Sequence, residues 1–497
     1  MAAVRAGVVL AAVVAAALTV SGGSRADPRT PPALPGLPPP FLGVAVVGSG
    51  GRTEAIDAYG NVVGRWTPGP AGRSLIYNPP ERQAAGSVPV DTGVVARARI
   101  DGSWVPFWQA DSVRQRYLPG SNVLRTVARF GERTVAVTRS VGGAAAAEAD
   151  RRWLGRARPL GSAAPRWARA MYRRSLLVLR ALADRRTGAV AAGAREGWAY
   201  VWPRDASAVA MALAAAGYGP EARRVVHFLE SLDLETAARF TGNGDPVTGR
   251  AAQGDAAAWI TAAAQTTGAT PASLHPGADE PGSNRDTAGP LPPWEGLADY
   301  QEGDRGNYLG NALAGGWLGA VVQGRPPPVA IHARFATTAG LVHEANEPGS
   351  GLDSAAAWVV RPFPQPALFP LARRALLRLP ADSTRFGILP SEDWDGGEDP
   401  WTAPTAWSAW SLAALARHDR TRLPPIASRE RHAAMGLIRR LRRAATPAGL
   451  LPERVDVRTG IPRSTTPLAW SHAFAILALR ELWPTAPKSA DSPIRAS

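Results

Sequence analysis

The sequence predicts a mainly α-helical protein, a toroid of helical hairpins preceded by an antiparallel β-sandwich. Two observations carry this. Short runs of alternating apolar and polar residues, punctuated by Gly, Pro and Asn, fill residues 41–141. From residue 165 onward, apolar positions recur at helical spacing, separated by irregular segments without strands between them. The second pattern excludes a βα design and suits helix pairs whose connecting loops gather on one rim. With 497 residues, the chain has room for both parts and a sizeable core.

The elements follow in order. Arg5, an apolar run from Gly7 to Val20, and the small residues Ser24 and Ala26 have the layout of a secretory signal over residues 1–26. That run is about 14 residues long, whereas a membrane span needs about 20, so the expectation is cleavage near Ala26 and an exported protein without an integral span. Residues 27–40, containing "PRTPPALPGLPPP", read as a semi-rigid proline-rich linker. In 41–141, the alternation at Thr134-Val135-Ala136-Val137-Thr138 and turns at Tyr59-Gly60-Asn61 and Pro119-Gly120-Ser121-Asn122 argue for the sandwich.

A polar, Ala/Gly-rich connection covers 142–164, and the helical part spans 165–486. Its first helix, 165–184, carries Trp167, Met171, Leu176 and Leu179 near helical spacing. The stretch 206–232 holds two helices split at Gly217-Tyr218-Gly219-Pro220. Further helical segments are expected at 254–266, 306–323, 328–345, 352–360, 366–378, 404–417, 427–444 and 467–483. A long Pro/Gly/Asp-rich loop interrupts them at 267–305, and 487–497 reads as a disordered tail.

Composition narrows the chemistry. No cysteine is present, which excludes disulfides, thiolate catalysis and Cys-based metal sites. The net charge of +15 is spread over scattered arginines, apart from helix faces such as Arg169, Arg173 and Arg174 and the run 439–445, so no nucleic-acid partner is expected. His227, His275, His343 and His472 lack ligand spacing, and no metal is expected. "GSGG" at 48–51 reads as a sandwich turn, and with no phosphate loop in the chain no cofactor is expected.

Carboxylates and tryptophans concentrate in 388–410 and 449–482 at the mouths of apolar helices. Carboxylates transfer protons and bind hydroxyls, and indole faces stack on the C–H faces of sugar rings, so the pairing reads as a carbohydrate site. In "GWAYVWPRDASAVAMAL" (197–213), Trp202, Arg204 and Asp205 precede an Ala-rich helix. Asp205 there is either a helix cap paired with Arg204 or, with it, a fork for sugar hydroxyls.

These motifs resemble the glucoamylase family, the family-15 glycoside hydrolases, in particular its bacterial glucoamylase and glucodextranase branch with an N-terminal β-sandwich. The resemblance runs through most of 41–483. "GSGGRTEAIDAYGNVVGRW" and "QRYLPGSNVLRT" come first, then "WAYVWPRDA", "QGDAAAW", "GLDSAAAW", "SEDWDGGEDPWTAPTAW" and "LPERVDVRTGIPRSTTPLAWSHA" in order.

The resemblance implies an (α/α)6 barrel and hydrolysis of α-glucosidic bonds from the non-reducing end with inversion. It places the general base on Glu453 in "LLPERVD" and the general acid on Glu295 in "PPWEGLADYQEGDRG", with Glu302 or a lost acid as alternatives. The helix that normally precedes the acid is replaced by the Pro/Gly-rich loop, and Gly296 stands where a second Glu is common. By the same resemblance, Arg204 and Asp205 hold hydroxyls of the terminal glucose, and Gln253 and Asp255 flank the barrel mouth.

Glu392 and Asp393 stand nine and eight residues before Trp401, the family's interval, but the arginine usually ahead of them is absent and Arg385 is the nearest substitute. Trp202, Trp401, Trp407 and Trp470 are sugar-contact candidates, although indoles at helical spacing also serve as core. The expected activity is that of an exported inverting exo-α-glucosidase acting on an α-glucan or α-glucoside. A trehalase of the same family, or a noncatalytic glycan-binding envelope protein, is the alternative.

Overall fold

The structure, a computed structural model, describes residues 31–66, 95–194, 198–247, 252–269, 308–323, 329–381, 383–394 and 396–485. The N-terminal part is antiparallel throughout these residues. Strands β1 (Gly43–Gly48), β2 (Thr53–Asp57) and β3 (Val62–Trp66) form one meander, β4 (Arg97–Ile100) and β5 (Ser103–Pro106) a hairpin, and β6 (Ser112–Tyr117), β7 (Leu124–Phe130) and β8 (Arg133–Arg139) a second meander. Alternation dictates which faces are buried: in β7, Leu124, Thr126 and Ala128 point inward while Arg125 is exposed. β1 is instead buried along its whole length.

Both expected turns are present, with Gly60 (φ +89°) and Gly120 (φ +66°) in the left-handed region. Asp57 organises the first. Its carboxylate accepts from the amides of Phe41 (2.8 Å), Tyr59 (2.9 Å) and Asn61 (2.8 Å) and from Asn61 Nδ2 (2.6 Å). Complete burial pushes its pKa up to about 6 in spite of these donors. The proline-rich stretch is folded onto the sheets rather than held away as a spacer. Leu34 N–H donates to Tyr59 Oη at 2.9 Å, and that hydroxyl donates to Pro38 O at 3.2 Å.

The expected connection at 142–164 contains a helix, α1 (Ala146–Gly155). Its Asp150 faces inward and accepts from Asn122 N–H at 2.7 Å, a packing role that composition alone does not reveal. Ten further α-helices follow among the described residues: α2 (Arg166–Leu182), α3 (Pro203–Ala215), α4 (Gly219–Glu230), α5 (Ala256–Thr267), α6 (Leu309–Gln323), α7 (Val329–Phe335), α8 (Phe369–Arg378), α9 (Thr402–Asp419), α10 (Pro424–Ala444) and α11 (Ala469–Leu482). The split between α3 and α4 falls at Gly217 (φ +93°), as the sequence indicates. Two expectations shorten. Only Val329–Phe335 of 328–345 is helical, because the chain then folds back through bridges Ala336↔Leu341 and Val342↔Leu352. Residues 354–359 form a 3₁₀ turn capped by Asp353, whose Oδ1 accepts from Ala355 N–H at 2.7 Å.

Packing sorts the helices into two classes. α11 packs on α3, α3 on α5, α5 on α6, α6 on the 354–359 turn, that turn on α9, and α9 on α11, which closes a cycle. α3, α5, α9 and α11 are rich in Ala, Ser, Thr and Trp and buried nearly all round, as helices with neighbours on every side must be. Around them α2 lies on α11, α4 on α3, and α10 on α9. α10 shows the outer pattern, with Ala427, Glu430, Ala434, Leu437, Ile438 and Leu441 inward and its arginines mostly outward.

The sheet region is fixed to α2 by a buried polar junction. Asn122 Nδ2 donates to Gly48 O (2.9 Å) and Leu177 O (2.8 Å), Arg174 donates to Asn122 Oδ1 (2.9 Å), and the Arg174 guanidinium lies 3.7 Å from the centre of the Tyr117 ring. Among the described residues no helix is long and apolar enough to cross a membrane.

Candidate active site

Glu453 sits on an irregular antiparallel hairpin between α10 and α11. Leu468 N–H donates to Leu451 O (2.9 Å), Glu453 N–H to Thr465 O (3.0 Å) and Arg463 N–H to Arg454 O (3.1 Å). The Glu453 strand is paired on its other side too, with Thr402 N–H donating to Glu453 O at 2.9 Å and Trp401 bridging Arg454. A backbone held on both edges fixes where the side chain starts.

The carboxylate is equally constrained. Trp198 Nε1 donates to Oε1 at 3.2 Å, Ser464 Oγ donates to Oε2, and Glu453 is only 8% exposed. Trp198 reaches it because Gly193 N–H donates to Trp198 O (2.8 Å), Gly193 bridges Leu468, and Ala469 N–H donates to Ala192 O (2.6 Å). At Gly193 a Cβ would lie 2.4 Å from Thr465 Oγ1 and 3.1 Å from Pro467 O, so glycine leaves room for the Thr465 side chain and the neighbouring backbone.

The same crossing brings Trp470, in the first turn of α11, over the first turn of α3. The Arg204 guanidinium lies 4.9 Å from the centre of the Trp470 ring and donates to Asp255 Oδ2 at 3.0 Å, with Arg204 2% and Asp255 0% exposed. Asp205 is buried in the same turn of α3, while the N-cap position is Trp202 and makes no side-chain cap bond. Trp202 is buried, with the Arg239 guanidinium 5.6 Å from its ring centre. Asp255 Oδ1 and the indole nitrogens of Trp202, Trp401 and Trp470 are buried without a hydrogen-bond partner among the described residues. Polar atoms left in this state are where a hydroxyl-bearing ligand or water finds partners.

Glu392 and Asp393 occupy a neighbouring loop. Glu392 Oε2 accepts from Leu352 N–H at 2.9 Å and Oε1 lies 3.4 Å from Arg378 Nε, while Asp393 is exposed. Gly351 (φ +74°) lets the 351–353 segment run against them. Arg385 is engaged elsewhere: it is exposed, donates to Arg458 O at 2.7 Å and covers the Phe386 ring.

Of the candidate tryptophans, Trp407 is core. It donates to Ser354 O at 3.0 Å and packs edge-on against Trp358, Trp470 and Phe474. Trp401 is likewise buried, edge-on to Trp394. Trp470 is 3% exposed and flanked by Arg204, Trp407 and Phe474. Glu295 and Glu302 lie outside the described residues. No group of three or more His, Asp or Glu positioned to hold a metal occurs among the described residues. His343 meets Asp353 at 2.6 Å, and His472 is hydrogen-bonded through both ring nitrogens.

Two contacts escape a reading by residue type: Trp198, inside the quoted "WAYVWPRDA", and Ser464, inside "PRSTTPLAW". Their chain positions carried the signal, but nothing in the sequence aims them at Glu453.

No curated protein sequence matches the chain. Among solved structures, a wild-type glycosidase aligns with a TM-score of 0.46 at 18% identity, over 63% of this chain and 96% of its own. A bacterial glucoamylase complexed with acarbose aligns with a TM-score of 0.47 at 16% identity, over 68% and 58%. A glucoamylase from Saccharomycopsis fibuligera aligns with a TM-score of 0.46 at 13% identity, over 64% and 94%. The family model described as glycosyl hydrolases family 15 matches residues 166–240, the stretch that runs from α2 through Trp198, Arg204 and Asp205 to the segment after α4. The match with the family-15 glycosyl hydrolases therefore falls on the stretch that carries Trp198, Arg204 and Asp205.

Proposed function

We propose that the protein is an exported, inverting exo-α-glucosidase acting on an α-glucan or a small α-glucoside, with Glu453 as general base. The observation that carries this reading is a buried carboxylate, Glu453, clamped by two donors, Trp198 and Ser464. A base that must activate one water needs a fixed direction as well as affinity for a proton. Trp198 holds one oxygen and Ser464 the other, so the carboxylate's orientation toward that water is set by the protein.

In this reading the water donates a hydrogen bond to Glu453 and attacks the anomeric carbon. A second carboxylic acid protonates the departing glycosidic oxygen from the opposite side, about 6.5–9.5 Å away as inverting enzymes require. Glu295 is the carboxyl group assigned to that step, with Glu302 as the alternative. Arg204, Asp205 and Asp255 hold hydroxyls of the terminal sugar at the closed end of the pocket, and Trp202, Trp401 and Trp470 present indole N–H groups. In this reading the cycle of packed helices is the (α/α)6 barrel, with these residues in its loops and in the first turns of its helices. The first residues direct export and are removed near Ala26.

The test is a panel of maltose, maltotriose, isomaltose, dextran, starch and trehalose offered to the purified protein. Release of glucose one unit at a time from the α-glucans supports the proposal. Turnover of trehalose alone makes it a trehalase, and saturable glycan binding without release makes it a binding protein.

A further inference from the structure

We propose that His472 is a positioning residue for the base loop: it locks Leu451, two residues before Glu453, and thereby aims the Glu453 carboxylate. This rests on the reading of Glu453 as general base. The geometry defines the imidazole's state. His472 Nε2 lies 2.9 Å from Leu451 N, and because a backbone amide only donates, that nitrogen carries no proton. Nδ1 lies 2.9 Å from Ser175 Oγ on α2, so a neutral ring carries its proton there and donates it to the serine hydroxyl. His472 and Ser175 are both 0% exposed, and burial pushes the imidazole pKa down to about 3, with the nearby Arg174 adding to the effect.

The other anchors of this segment lie along both of its edges. Leu451 O and Glu453 N–H pair with Leu468 and Thr465 of the return strand, and Thr402 holds Pro452 O and Glu453 O. Leu451 N–H, by contrast, is satisfied by the His472 side chain. Ser175 follows Arg174, which binds Asn122, so the base loop is referenced through α2 to the junction with the sheet region. A one-sided loss would leave the amide buried without an acceptor and let the loop shift, and displacements near 1 Å at a reacting group cost about 10²-fold in rate.

The experiment combines a spectroscopic measurement with kinetics. In the full-length protein with ¹⁵N-labelled histidine, long-range ¹H–¹⁵N correlations should include a neutral imidazole with the proton on Nδ1 that is absent from His472→Gln. With maltotriose as substrate, His472→Leu should lower kcat about 10²-fold with KM within about 2-fold. His472→Gln, whose amide oxygen can replace the Nε2 acceptor, should recover most of that loss. An Nε2–H tautomer or an imidazolium at neutral pH overturns the proposal even if His472→Leu does not fold. Wild-type kcat in a folded His472→Leu overturns it as well, and leaves the base assignment intact if Glu453→Gln is inactive. Turnover by Glu453→Gln would instead refute the base assignment and, with it, the role given to His472.

Discussion

Trp198 and Glu453, 255 residues apart in sequence, are joined by a 3.2 Å hydrogen bond from the indole Nε1 to the carboxylate Oε1. The contact ties the segment before α3 to the hairpin before α11 and makes the orientation of the carboxylate a property of two distant parts of the chain. Trp198→Phe keeps an aromatic ring and removes only the donor. A hydrogen bond to a charged group contributes about 1.5–3 kcal/mol, so a lowered melting temperature together with a decrease of kcat by about 10-fold or more is expected. Steady-state kinetics with maltotriose checks this, and unaltered kcat would reduce Trp198 to a packing residue.

The Arg204–Asp255 pair is buried on both sides, 2% and 1% exposed. Removing one partner strands a charge: Asp255→Ala should lower stability by about 3–5 kcal/mol. Replacing both, as Arg204→Met with Asp255→Ala, should restore much of that stability and none of the activity, because sugar hydroxyls lose their partners. Denaturant melts and kinetics on the three variants separate the two roles. A double variant with restored activity would make the pair purely structural.

His472 sets the sign of one pH effect. Unfolded histidine binds a proton below about 6.5, whereas the folded imidazole does so only near pH 3. Protons in that window therefore favour the unfolded chain. The stability is present in full above the unfolded value and is lost as pH falls toward 3, by at most about 1.4 kcal/mol per pH unit. Thermal melts between pH 4 and pH 7 should show a shallower slope for His472→Gln than for the wild type. Equal slopes would mean that the imidazole is not held neutral.

Much of this was legible in the sequence, for identifiable reasons. The small-residue, all-round apolar character of α9 and α11 marks helices with neighbours on every side, and the one-sided pattern of α10 marks an outer one. Arg204, Asp205 and Glu453 stand out through the resemblance of their motifs, since residue type alone leaves a helix cap or a solvated carboxylate equally open. What stayed hidden depends on chain crossings. The resemblance puts Asp255 at the barrel mouth, yet its pairing with Arg204 is a contact 51 residues distant in the chain. The role of Ser464 depends on hairpin register, and the core packing of Trp407 depends on which helix faces which. The helix inside 142–164 was missed because Ala and charged residues there signal a polar connection until Asp150 is seen to point inward.

The division of labour between two carboxylates gives a sharper chemical test. Fluoride departs without protonation, so Glu295→Gln should retain activity on α-glucosyl fluoride while losing maltotriose turnover by about 10²–10⁴-fold. Glu453→Gln should lose both. Equal activity of Glu295→Gln and the wild type on maltotriose would move the acid to Glu302.

The central claim, that Glu453 directs one water to the face opposite the scissile bond, is tested most directly by the anomer released. In ¹H NMR of wild-type protein mixed with maltotriose, the β-anomer of glucose should appear first and the α-anomer only as mutarotation proceeds, with neither formed by Glu453→Gln. Initial release of α-glucose, or hydrolysis at the wild-type rate by Glu453→Gln, would contradict the account.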